Sequence, residues 1–265
     1  MMTGQPLDVI PMWALYFLTV LALLATMEVG YRLTRARQRK SPDETDAGVG
    51  AMSGASLALL AFLLAFVVGF ASNIAAERRQ LVMAEANAIG TTYLRAGYLD
   101  EAYRTQARDL LREYTDLRLV ATLDPEQRAA ALAQSLARSE EIHNELWASA
   151  EVIAVEVPTD PTGLYISALN EVIDRHAERV TVGLAIRVPP TVLLGVYVVA
   201  LFAMFLVGVQ TGYGERRNYL ALVVLVLILS VVFLLIVDLD RSQEGLLRVN
   251  QQAMIDLQRQ LNAPQ

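Results

Sequence analysis

Apolar and polar positions fall along this chain in long blocks rather than in short periods. Four blocks stay apolar for about 20 residues, the length a helix needs to cross a bilayer core. They are Val9–Met27, Ala51–Ala71, Val188–Val209 and Tyr219–Val237. Each predicts a transmembrane helix. The first has no basic residue ahead of its apolar run and a basic cluster behind it, which is not the pattern of a cleavable signal peptide.

The blocks divide the chain into a first span at 9–31, a short basic linker at 32–50, and a second span at 51–72 that continues as a helix to about residue 89. A polar segment at 73–187 follows, then a third span at 188–209, a short loop at 210–218, a fourth span at 219–237 and a C-terminal tail at 238–265. Four crossings put both termini and the polar segment on one side of the membrane. That segment reads as helical. Asp124-Pro125-Glu126-Gln127 is a helix start, with Asp as N-cap and Pro in the first turn. The helix it opens reaches about Glu156. Asp160-Pro161 opens another, running to Arg187. A third, from about Asp100 to Leu123, sets Tyr103, Ala107, Leu110, Leu111, Tyr114 and Leu117 on one stripe. No strand-like alternation competes. The expected fold class is all-α: a polytopic membrane protein with four transmembrane helices and a helical extramembrane domain between spans two and three.

Span two has no reason to stop at the membrane. From Ala51 to Ile89 nothing forces a helix end, and Gly90 is a plausible C-cap. Such a helix is about 58 Å long against a bilayer core of about 30 Å. Phe62, Phe66 and Phe70 recur every fourth residue, and that side continues through Asn73, Glu77, Gln80, Ala84, Asn87 and Thr91. The other side carries Ile74, Arg78, Leu81, Glu85, Ile89 and Thr92. The phenyl line has two readings. It is packing between helices, or it is a pore neck in which copies of the helix surround an axis. In the second reading Asn73, Glu77, Gln80 and Asn87 form a wider vestibule, and a dry ring of phenylalanines gates ions by dewetting.

Composition narrows the functional classes. The 265 residues are 54% hydrophobic, with a mean hydropathy of +0.38, which suits several membrane spans. A net charge of −6 argues against nucleic acid as a partner. No cysteine and only two histidines, His143 and His176, leave no zinc knuckle or thiol nucleophile. Glu140, Glu141, His143 and Glu145 resemble a metal cluster only in sequence. On a helix His143 points away from the face shared by Glu141 and Glu145, so no metal is expected. Neither a Ser-His-Asp order nor a phosphate loop is present, and neither an enzyme nor a cofactor is expected. The polar segment holds 12 arginines and 18 acids, read as a solvated helical surface. Glu85 sits among small residues and needs a cationic partner if buried; Arg78, Arg95 or an arginine of a second copy are the candidates. Glu28, near the end of span one, is a pathway residue or a snorkelling one. Asp238 and Asp240 stop span four and cap neighbouring arginines.

Basic residues in short loops mark the cytoplasmic side. The two short loops carry Arg32, Arg35, Arg37, Arg39, Lys40, Arg216 and Arg217. Arg78, Arg79, Arg175, Arg179, Arg187, Arg241 and Arg248 oppose them but are diluted by acids. The charge bias therefore places both termini and the middle domain outside a bacterial inner membrane.

Phe66-Val67-Val68-Gly69-Phe70, with Arg78 eight residues on, resembles the second span of the bestrophins. The chain also resembles a bacterial bestrophin-like membrane family. The resemblance rests on Arg78-Arg79-Gln80-Leu81-Val82, on Glu85-Ala86-Asn87-Ala88-Ile89-Gly90-Thr91-Thr92-Tyr93-Leu94-Arg95, and on the tail Asp238-Leu239-Asp240-Arg241, Glu244-Gly245, Val249-Asn250-Gln251-Gln252 and Met254. Ser242 stands where that tail usually has proline. The resemblance implies an oligomeric ion channel, pentameric by analogy, in the lipid bilayer. Three apolar side chains spaced four apart line its neck, which fall on Phe62, Phe66 and Phe70. Bestrophins conduct mostly anions, with a bacterial member selective for cations, so the inorganic ion stays open. They keep the middle domain in the cytosol, opposite to the charge bias. No run of consecutive acids matches the calcium clasp of animal bestrophins. The alternative function is a non-conducting membrane sensor or scaffold acting through a partner protein.

Overall fold

The computed structural model describes residues 10–40, 48–122, 125–214, 217–241 and 249–263. Asp124, expected as an N-cap, lies outside them, as do Val9, Arg216, Ser242, Glu244, Gly245 and Arg248. Every regular element among the described residues is helical: α1 Met12–Gln38, α2 Val49–Arg95, α3 Glu101–Leu117, α4 Pro125–Glu156, α5 Asp160–Leu184, α6 Pro190–Tyr213, α7 Tyr219–Asp240 and α8 Gln252–Asn262. Four of them, α1, α2, α6 and α7, are long and apolar enough to cross a membrane. The chain divides into two compact units, split near Ile74 and Ile186.

The first unit contains α1, the N-terminal part of α2, α6 and α7. Its core is aliphatic, built on Leu23, Met27, Leu60, Leu64, Met204 and Ile236. Lipid offers no hydrophobic drive between spans, so close backbone packing must hold them. Glycines supply it where α1 meets α6. A Cβ on Gly208 would collide with the Met27 carbonyl, one on Gly30 with the Phe205 carbonyl, and one on Gly212 with the Thr34 side chain. Several polar groups of this unit are paired. Thr19 Oγ1 bonds Tyr197 Oη. Glu28 accepts from Arg32 at 2.8 Å and from Arg217 at 2.6 Å, and the Arg217 guanidinium lies over the Tyr31 ring at 4.2 Å. Glu28 is therefore the centre of an ion-pair cluster rather than a lone charge.

Two boundaries follow from backbone chemistry. Val188 precedes Pro189-Pro190, which keeps it out of a helix. Its N–H donates to Asp240 Oδ1 at 2.7 Å, so that aspartate satisfies the amide that the break leaves over. Asn218 caps α7 by accepting from Ala221 N at 3.2 Å.

The second unit contains the C-terminal part of α2, α3, α4, α5 and α8. Its core joins Ile89, Tyr93, Leu111, Ile142, Leu146 and Leu169. The predicted α3 stripe is the buried one: Ala107, Leu110, Leu111 and Tyr114 are buried, with Tyr103 and Leu117 packed beside them. The helix stops at Leu117, and residues Arg118–Thr122 form a 3-10 turn instead of the expected continuation. Asp160 opens α5 as expected, and Thr159 caps it, its hydroxyl accepting from Thr162 N.

The tail held an unanticipated helix, α8, which buries Met254, Leu257 and Leu261. It also explains why Gly90 is not a helix end. A Cβ there would lie 3.3 Å from Leu257 Cδ1, so the glycine makes room for α8 while α2 continues to Arg95.

Candidate functional site

Helix α2 has 47 residues, about 70 Å at 1.5 Å per residue. In the first unit its inward face is Leu60, Leu64, Val67, Ala71 and Ile74, all buried. The opposite face carries Phe62, Phe66 and Phe70, which are 68%, 67% and 42% exposed, and then Asn73, also exposed. In the second unit Glu77, Gln80 and Asn87 are exposed, while Arg78, Val82, Glu85 and Ile89 are buried. The seven residues singled out from spacing are thus all exposed, three phenylalanines and Asn73 in the first unit and Glu77, Gln80 and Asn87 in the second. Asn87 borders an open groove that α5 lines with Ser167, Glu171 and Arg175.

The buried side of the same helix meets a buried cluster of charge in the second unit. Glu85 is 0% exposed. Arg118 Nε stands 2.9 Å from Glu85 Oε1, and Arg179 Nη1 bonds Oε2. Tyr114 Oη donates to Glu85 Oε1 at 2.5 Å. Because its one proton is used there, the 3.0 Å contact between Tyr114 Oη and His176 Nδ1 needs the proton on the histidine. His143 packs edge-on against His176 with ring centres 4.8 Å apart. Burial pushes both imidazoles down to about 4, helped at His176 by the Arg118 and His143 charges. Arg179 Nη2 also donates to Gln251 Oε1 at 2.8 Å, which ties the start of α8 to the cluster. Arg78 reaches the end of α5, donating to the carbonyls of Ile186 at 2.7 Å and Val182 at 3.4 Å.

Neither arginine expected beside Glu85 is its partner. Arg78 caps α5, and Arg95 donates to the Leu164 carbonyl. Glu141 and Glu145 converge on Arg138, which also holds Glu113. A guanidinium occupies the centre of that acidic group.

A family model for the bestrophin-like domain matches residues 14–254. The chain belongs to the bestrophin-like family. Solved structures agree on the fold. A single-substitution variant of a bacterial bestrophin homologue from Klebsiella pneumoniae superposes with a TM-score of 0.64 at 16% identity, over 94% of this chain and 97% of that one. Another structure of the Klebsiella pneumoniae homologue gives 0.63 at 17% identity, over 93% and 96%. A structure described as a membrane protein gives 0.64 at 13% identity, over 92% and 97%. No curated protein matches the chain. At these identities the likeness carries the fold. This bestrophin-like chain is a membrane protein by family and by its four apolar helices.

Proposed function

We propose that this bestrophin-like chain assembles as a homo-oligomer, five copies by analogy with bestrophins, and conducts inorganic ions through a pore lined by α2. Phe62, Phe66 and Phe70 form the hydrophobic neck. Asn73, Glu77, Gln80 and Asn87 line the vestibule. One observation carries this reading: a single helix face runs from three exposed phenyl rings to four exposed polar side chains, while its reverse is buried within the chain. A phenyl neck excludes water and holds the path closed until it widens. Family membership supports the same reading. The loop charges support an orientation with both termini and the second unit outside the cytoplasm, which reporter fusions at each terminus test.

Planar-bilayer recording of purified protein under a KCl gradient tests conduction, with Phe62→Ala/Phe66→Ala/Phe70→Ala beside the wild type. Wild-type currents, and a variant that opens more readily, are expected. Silence from both, in folded oligomeric protein, would leave the rings as packing and move the reading to a scaffold that acts through a partner.

A further inference from the structure

Away from the exposed α2 face, the second unit holds a half-open cavity of about 100 Å³. Nine of its fifteen lining residues are Leu or Val. Arg78, Arg118 and Arg179 line this apolar space, with Ser135 and Gln251 beside them. Two of these arginines have evident tasks. Arg78 holds the carbonyls at the end of α5, and Arg179 bridges Glu85 and Gln251. Arg118 differs. It is 8% exposed, and its guanidinium meets Glu85 through Nε and stands over the Tyr114 ring. Among the described residues, its two terminal nitrogens donate no hydrogen bond. The buried Arg118 Nε lies in charge contact with Glu85 but lacks a hydrogen bond, and the donors of a charged group set in the interior call for acceptors.

The charge balance defines the occupant. Glu85 cancels one of the two charges on Arg118 and Arg179. The Arg78 charge is set against carbonyls at the negative end of α5. Among Arg118, Arg179 and Glu85 one positive charge is left over, which suits a monovalent anion. The guanidinium fork matches the two oxygens of a carboxylate. Leu and Val walls suit a short alkyl chain and offer an inorganic oxyanion little for its remaining oxygens.

We infer that this cavity binds a short-chain monocarboxylate, its oxygens on the terminal nitrogens of Arg118 and its alkyl chain among the Leu and Val walls. The site is separate from the proposed pore face and does not depend on conduction.

Isothermal titration of the full-length protein in detergent with butyrate tests it, with chloride, phosphate and decanoate as comparison probes. Gly183→Leu is the blocking variant. Gly183 lines the cavity, and a Cβ there meets nothing within 4 Å, so a larger side chain starts in open space. Arg118→Lys keeps the charge beside Glu85 and loses the fork. Saturable butyrate binding is expected, weakened about tenfold or more in both variants. If lysine at 118 unfolds the unit, the leucine variant alone decides. Four results would overturn the inference: no saturable heat, as for a cavity filled by water; equal affinity for phosphate or chloride; tighter binding of decanoate, as for a membrane fatty acid; or unchanged affinity in Gly183→Leu.

Discussion

Glu85→Gln isolates the electrostatics of the second unit with almost no change in shape. The wild-type carboxylate is fully buried and faces two guanidiniums, with Arg118 at 2.9 Å. Removing one partner from a buried ion pair costs about 3–5 kcal/mol, because the other charge stays behind. The glutamine oxygen still accepts from Arg179 or Tyr114, which returns about 1 kcal/mol. The expected loss is therefore about 2–4 kcal/mol, a large part of the usual ~5–15 kcal/mol of domain stability. Trp147 packs against the core of this unit and reports on it. In a Trp13→Phe background, where Trp147 is the sole tryptophan, urea unfolding followed by fluorescence gives the shift. With a slope of about 2 kcal/mol per molar, the midpoint should fall by about 1–2 M. Adding Arg118→Gln removes one of the two guanidinium charges then left unbalanced and should recover about 1 kcal/mol or more. A single variant within about 0.5 kcal/mol of wild type, the range of an ordinary surface change, refutes the argument. So does a double variant that loses the sum of both single effects.

The histidine pair sets a pH dependence. Folding holds His143 and His176 at about 4, below their ordinary 6.5, so the unfolded chain takes up protons that the folded one refuses. Stability from this pair is complete above about 6.5 and is lost as pH falls toward 4, and His143→Gln/His176→Gln should flatten the Trp147 unfolding profile there. An unchanged slope in that variant rejects the assignment. Gly208→Leu should exceed the usual ~1–3 kcal/mol of overpacking, because the Met27 carbonyl cannot move aside. Size-exclusion profiles should show loss of monodisperse protein, whereas Gly69→Ala, whose Cβ meets open space, should elute as wild type. On the pore reading, Glu77→Lys reverses the charge of a ring of exposed carboxylates, and the reversal potential under a KCl gradient should move toward the chloride limit. No movement in a conducting variant removes Glu77 from the path.

The exposed face of α2 was legible because its two causes are local. Nothing between Ala51 and Ile89 breaks a helix, and offsets of three and four decide which residues share a side. The partners of Glu85 were not legible, because they are not local. The candidates nearest in sequence, Arg78 and Arg95, serve α5 carbonyls, while Arg179 arrives from 94 residues further on. Gly90 shows how one signal can have two causes. A glycine after an apolar run reads as a C-cap, yet a glycine also lets a neighbouring helix approach, and only the position of Leu257 separates these. In the spans the second cause carries more weight. Gly208 and Gly212 stand four apart within an apolar run, the small-residue spacing by which membrane helices come into backbone contact. Water cannot drive spans together in lipid, so small residues at that spacing carry as much information there as leucines do in a soluble core. Gly208 and Gly212 thus mark α6 for a close helical neighbour from sequence alone, while that the neighbour is α1 is a property of the fold.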